Sequence, residues 1–260
     1  QDLRVDPDGI PLRIDHAFSW NAPLATQGVM QMVITNANDK NPYPIDLLFL
    51  HKANLSWNSS MNTTGTMEML TVKDETTGEY RIPKILCSDT YFSETVAYAD
   101  LVLPDTTYLE RWDCMSLLDT SISNADAVAD SIRQPVVTPD ADTRPFQEVL
   151  LDLGTRLEFP GLVKKNGKAK YPKGYVDFLT NHERVPGIGM LAGWRGKQGD
   201  NHGAGPPNEN QLKKYSENGC FWEQKLPPDQ LYFKHANKKY LDYAASMDFV
   251  EAPNQIVFQV

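Results

Sequence analysis

Short apolar runs punctuate the first part of the chain, and each gives way to a polar loop. Ile45 to Leu50 (IDLLFL), Lys84 to Cys87 (KILC) and Leu101 to Leu103 (LVL, stopped by Pro104) have the length and continuity of buried parallel strands. Between them the spacing turns helical. Leu24, Val29, Met30, Val33 and Ile34 share one face of a predicted helix over Ala22–Asn36, with Asn21 as candidate cap. A polar loop, His51 to Thr66, leads into a helical stretch around Met67–Leu70, and Ser93 to Ala99 predicts another helix capped by Ser93. Strands alternating with helices define an α/β fold, in which ligands sit beyond the carboxyl ends of the strands.

The pattern then changes. Asp105 to Asp142 has no strong period and predicts a path over the surface. Phe146, Val149, Leu150, Leu153 and Leu157 recur at helical spacing over Arg144–Glu158, with Pro145 suited to the first turn and Pro160 as terminator. From Gly161 the chain is rich in Lys, Asn, Gly and Tyr. Short helices are predicted at Tyr175–His182, Glu209–Asn218 and Gln230–Met247, around a long loop from Gly187 to Pro207. The expected division is an α/β domain over residues 1–160 and a largely helical, loop-rich extension over 161–260. The polar opening Gln1–Pro11 and the strand-like Gln255–Val260 suggest a segment of a longer polypeptide.

Composition narrows the function classes. The 260 residues are 41% hydrophobic and 23% charged, enough for a sizeable core. A formal net charge of −9 argues against a nucleic-acid partner, whose phosphates call for clustered Lys and Arg. No apolar run approaches the roughly 20 residues of a membrane span, and no basic-then-apolar leader opens the chain. Cys87, Cys114 and Cys220 are too scattered for a disulfide framework or a metal site built on close ligand pairs. His16, His51, His182, His202 and His235 show no metal-binding spacing, and no GxSxG, Walker or GxGxxG motif occurs. No catalytic residue and no metal ligand is expected in this chain.

One segment is far more specific. Lys84 to Asp113 (KILCSDTYFSETVAYADLVLPDTTYLERWD) runs strand, Ser-Asp, aromatic, Glu-Thr, Ala-Asp-Leu-Val-Leu-Pro and Glu-Arg without a break. It resembles the signature of the third domain of bis(molybdopterin guanine dinucleotide) enzymes, the dimethyl sulfoxide reductase family. Ala53 to Asn58, Asp105 to Cys114, and Asn181-His182-Glu183 with Gly187-Ile188-Gly189 resemble large subunits of three-subunit sulfur-compound enzymes, nearest to the sulfite dehydrogenase type, with thiosulfate and polysulfide reductases as relatives. The resemblance implies that the α/β region is part of a parallel-sheet dinucleotide-cofactor domain. It also implies molybdenum bis(molybdopterin guanine dinucleotide), a 4Fe-4S cluster in a missing N-terminal part, an iron–sulfur electron-transfer subunit, a membrane-anchor subunit and a small sulfur substrate. The location implied is cytoplasmic and membrane-associated through partners, with the periplasmic side as the alternative.

The family's cofactor contacts carry over onto Ser88 and Asp89, Asn54 and Arg111, with Trp57 and Asn58 as weaker candidates. A guanine edge offers two neighbouring N–H donors, and a carboxylate accepts both, which suits Asp89; the competing role is an Asp in the turn after a strand. Asn54 matches a loop Asn near the dinucleotide, or simply tolerates a left-handed turn. Trp57 covers the cofactor or packs in the core, the latter being favoured. Arg111 neutralises a diphosphate or pairs with Glu110 or Asp113. Where some relatives have an Asp before the later helix, this chain has Pro145 between Asp142 and Arg144.

The family's N-terminal Cys cluster, molybdenum ligand and C-terminal barrel have no counterpart in these residues, so the chain alone is expected to be inactive and the full-length subunit to be the enzyme. A non-catalytic structural module of a respiratory complex is the alternative, and a stand-alone nucleotide-binding α/β protein a third.

Overall fold

The computed structural model describes residues 14, 32–58, 62–116, 127–139, 141–185, 188–201, 203, 205–225, 227 and 238–251. The chain packs as two units, Gln1–Asp105 with Lys239–Val260, and Thr106–Lys238. The division thus falls after Asp105 rather than near residue 160.

In the first unit three strands make a parallel sheet: β1 (Leu48–His51), β2 (Ile85–Asp89) and β3 (Leu101–Pro104). β2 lies in the middle, with Leu48 opposite Ile85 on one side and Leu86 opposite Leu101 on the other. These are the three apolar runs of the sequence. Helix α1 (Val33–Asp39) precedes the sheet, and α2 (Thr63–Thr71) carries the crossover from β1 to β2. Asn62 caps α2 by accepting from Gly65 N at 3.0 Å. Ile34, Ala37, Leu48, Leu50, Leu70, Ile82, Ile85, Cys87 and Val96 form the core. The predicted first helix meets α1 only at its end, since residues 22–31 and Asn21 lie outside the described residues.

Two expectations for this unit are corrected. Ser93–Ala99 does not make an α-helix; only a 3-10 turn, Thr95–Tyr98, forms, and Ser93 does not cap it. The Ser93 hydroxyl instead donates to Asp89 Oδ2 at 3.1 Å. The third strand is not buried: β3 leaves Leu101 and Val102 exposed, whereas Leu48 and Leu50 of β1, the other edge of the sheet, are buried. Asp100 shapes its entry: its carboxylate accepts from Ile85 N at 2.8 Å and its own N–H donates to Ile85 O at 2.8 Å.

The second unit holds an antiparallel sheet of β4 (Asp113–Ser116), β5 (Ala127–Arg133) and a late strand Phe221–Lys225, in that order. The expected surface path from Asp105 to Asp142 therefore contains two strands, and the C-terminal region supplies a third. Helix α3 (Phe146–Arg156) follows, then α4 (Tyr175–Asn181), a small antiparallel pair β6 (Glu183–Val185) and β7 (Ile188–Gly189), α5 (Gln211–Glu217), and the late strand, β8. The core gathers Ile132, Leu179, Leu191, Ala192, Tyr215 and Trp222. Of the α3 stripe, Val149 is buried while Leu150, Leu153 and Leu157 are exposed. A final helix, α6 (Lys238–Ser246), returns to the first unit. The strand expected at Gln255–Val260 lies outside the described residues. Among the described residues no helix is long and apolar enough to cross a membrane.

Candidate cofactor edge of the parallel sheet

The carboxyl ends of β1, β2 and β3 bring five of the six candidate residues to one region of the first unit, Arg111 being the exception. β2 organises it. Its last two carbonyls each hold a neighbouring chain: Ser88 O accepts from Lys52 N at 3.0 Å, and Asp89 O accepts from Asp105 N at 2.9 Å. The ladder therefore continues one residue past both flanking strands. Lys52 reaches this position with φ +49°, a left-handed conformation unusual for a residue with a side chain.

Asn54 links two loops. Its Oδ1 accepts from Thr95 N at 3.0 Å and from Thr95 Oγ1 at 2.8 Å, and its amide donates to Glu94 Oε2 at 2.5 Å. Thr95 Oγ1 also accepts from Ser56 N at 2.9 Å and contacts Ser56 Oγ at 2.8 Å. The Asn54 carbonyl accepts from Trp57 N and Asn58 N at 3.2 and 2.9 Å, closing a turn. The loop after β1 is thereby tied to the turn after β2, and the amide of Asn54 holds the Glu94 carboxyl below the ordinary glutamate range. Asn54 acts here through its side chain and not through a left-handed backbone, since positive φ falls on Lys52.

Asp89 accepts from its own turn: Oδ1 from Thr90 N at 2.7 Å and Tyr91 N at 3.2 Å, Oδ2 from Ser93 Oγ at 3.1 Å. A carboxylate has about four lone-pair sites, so three bonds leave roughly one, on Oδ2. Two-pronged acceptance of a guanine edge needs this turn to rearrange; a single bond does not. Ser88 is fully buried and its hydroxyl makes no hydrogen bond. Beside it the Cys87 thiol is pushed up to about 11, by burial first and then by the Asp89 charge, which leaves it protonated and unreactive at neutral pH.

Trp57 is not core packing: it is 65% exposed, and Tyr91 and Phe92 on the turn after β2 are 77% and 81% exposed. Asn58 is exposed as well. Unstacked aromatics at a sheet's ligand edge offer faces for a planar ring system. Sequence reasoning missed Tyr91 and Phe92, and it missed the ion pair of Lys52 Nζ with Asp105 Oδ2 at 3.1 Å. Their signal was positional, because each lies within three residues of the end of a recognisable strand.

Arg111 lies in the second unit and is 6% exposed. Its Nε donates to Asp113 Oδ2 at 3.0 Å, its Nη1 to Thr106 O at 3.0 Å, and the guanidinium lies 5.3 Å from the Tyr108 ring centroid. Of the two ion-pair partners expected, Asp113 is used, while Glu110 accepts from Thr107 N and Oγ1. Arg144 folds back along α3, onto Asp152 Oδ2 at 3.1 Å and Glu148 O at 3.3 Å. Among the described residues no group of three or more His, Cys, Asp or Glu is placed to hold a metal ion.

The residues of the edge fit the pterin cofactor implied by the signature in part. They supply a cation, aromatic faces, an enclosed hydroxyl and one carboxylate acceptor.

No protein-family model matches the chain. Among curated proteins, a sulfite dehydrogenase subunit from Allochromatium vinosum is 47% identical over 262 aligned positions, covering 100% of this chain and 27% of that protein. The molybdopterin-containing subunit of thiosulfate reductase from Salmonella typhimurium is 31% identical over 133 positions, covering 50% of this chain and 15% of that protein. The chain thus spans about a quarter or less of the length of the relatives it matches. An alignment along the whole of this chain at that identity, with a second relative of the same kind, makes it a member of the molybdopterin oxidoreductase family.

Proposed function

We propose that this chain forms the part of a molybdopterin oxidoreductase large subunit that receives the nucleotide end of the cofactor at the carboxyl edge of β1–β3. The whole subunit then exchanges electrons with a sulfur oxyanion such as sulfite, relaying them through an iron–sulfur partner subunit. The cofactor is molybdenum bis(molybdopterin guanine dinucleotide), and it supplies the two-electron or oxygen-atom chemistry when bound. The residues of this chain bind and orient it. Asn54 fixes the loop pair around the site, Ser88 lies within the edge, Asp89 offers an acceptor on Oδ2, and Trp57, Tyr91 and Phe92 offer stacking faces. Asn58 closes the turn that carries Trp57. Arg111 holds Thr106–Asp113 in shape.

The observation carrying this reading is the coincidence of two things. The Lys84–Asp113 signature includes the strand ends and turns of a parallel sheet's ligand edge, and the whole chain aligns at 47% identity with a sulfite dehydrogenase subunit. A second reading, a non-catalytic module of a respiratory complex, is favoured by the Asp89 carboxylate being engaged by its own turn.

One measurement separates them. The full-length subunit, purified under reducing conditions, is analysed for molybdenum and for guanine nucleotide released by acid. Both present, with guanine nucleotide about twice molybdenum, is the expected result. A folded full-length protein with neither would leave the structural module standing.

A further inference from the structure

The geometry points to Lys52 as the cation that holds the phosphate-bearing end of the cofactor, with buried Asp105 positioning it. This rests on the reading that the carboxyl edge of β1–β3 is where that cofactor binds.

Placement comes first. Lys52 and Asp105 each follow the last residue of a strand, on opposite sides of β2, and main-chain bonds to Ser88 O and Asp89 O fix both. Their side chains meet across the end of β2, Lys52 Nζ to Asp105 Oδ2 at 3.1 Å, with His51 Nδ1 at 4.0 Å from the same oxygen. The Asp105 side chain is wholly enclosed, whereas that of Lys52 remains 26% exposed. The accessible part of the Lys52 side chain presents its positive charge to an anion while Asp105 holds it from behind. A carboxylate behind a lysine is a recurrent way of aiming it at phosphate: in protein kinases a Lys–Glu pair does this.

Charge placement supports the same assignment. The other cations of this unit whose side chains are described sit on connections that enter the amino ends of the strands. Lys40 pairs with Asp74 at 3.6 Å, Lys84 pairs with Asp100 at 3.7 Å, Lys73 lies over Tyr80, and Arg81 precedes β2. Among the residues whose side chains are described, Lys52 is the cation at the carboxyl edge, with the His51 imidazole beside it. In a chain of net charge −9, an anion at this edge is countered locally by Lys52. The left-handed backbone of Lys52 adds a third observation, because strain of this kind is concentrated at ligand clamps.

The rival explanation is a lysine that does no more than neutralise a buried aspartate. K52Q alone cannot decide, since removing the ammonium from beside a buried carboxylate destabilises the fold. The double variant K52Q/D105N removes both charges at nearly constant shape. In the full-length subunit it is expected to unfold close to the wild-type temperature while retaining molybdenum and guanine nucleotide about tenfold less well through gel filtration. K52R is expected to recover much of the loss. Wild-type retention by K52Q/D105N overturns the proposal and leaves only the neutralising role.

A second measurement needs no variant to fold. Acylation of Lys52 by acetic anhydride, followed by peptide mass spectrometry, compares loaded full-length protein with protein from cells unable to make the pterin. Protection by several-fold in the loaded form is expected, and equal reactivity overturns the proposal. Absence of molybdenum and guanine nucleotide from wild-type protein is a different outcome, removing the underlying cofactor reading itself.

Discussion

Asn54 illustrates how much one side chain can organise at the residue scale. Its carboxamide oxygen takes two donors from Thr95 while its NH₂ reaches Glu94, so two loops share one anchor. Asn54→Ala removes the acceptor and leaves the Thr95 N–H and hydroxyl with one partner fewer, a loss of about 1–3 kcal/mol. Denaturant unfolding checks this; a change under about 0.5 kcal/mol, the size of an ordinary surface substitution, would show that the loops hold without it. The sequence made Asn54 and Asp89 visible as polar residues just after strands. It did not reveal their partners, because a bond between residues 54 and 95 depends on which strands lie side by side. The same limit applies to Arg111. Its two roles stood level on the sequence, and burial against Asp113, Thr106 and Tyr108 places it in an internal network.

Among elements, legibility followed the strength of the hydrophobic period. The runs at Ile45–Leu50 and Lys84–Cys87 became the paired strands β1 and β2, since continuous apolar residues have few other stable homes. Ala127–Arg133 (AVADSIR) escaped notice because its alternation is diluted by Ala and Ser, and the strand it pairs with at Phe221–Lys225 is distant in sequence. Helix α3 was legible from its spacing, yet the period reports only that a face exists, not what covers it. Leu150, Leu153 and Leu157 are exposed here, while Leu179 on α4 is fully enclosed. Leu179→Ala is accordingly expected to cost about 2–5 kcal/mol, and Leu150→Ala to change stability by less than about 0.5 kcal/mol. Thermal or urea unfolding of the chain compares the two; equal costs would mean that α3 packs its leucines inward in solution.

At the scale of the whole molecule, composition spoke to partners more than to architecture. Neither charge nor periodicity marks the break at Asp105, because it falls inside a short run, Pro104-Asp105-Thr106-Thr107, that has none of the length or Gly/Ser richness of a linker. Acid response is spread over both units. Asp74 is held low by the Thr76 backbone N–H and Glu94 by the Asn54 amide, both in the first unit. Glu110 is held low by the Thr107 backbone N–H and Asp152 by the Arg156 side chain, both in the second. A folded-state value below the unfolded one contributes stability that is present above the ordinary values of 3.8 and 4.5 and is lost as pH falls through the folded ones. Melting temperature followed by circular dichroism is therefore expected to be level from pH 7 to about pH 5 and to fall below about pH 4. A midpoint that rises on acidification would contradict the sign.

The two carbonyls at the tip of β2 have a consequence for how this surface can change. Because main-chain bonds to Ser88 O and Asp89 O set where positions 52 and 105 stand, the atoms displayed there are separable from the scaffold that displays them. Exchanging that pair of side chains is a route to altering the charge displayed at the strand tips while the pleated framework beneath stays as it is.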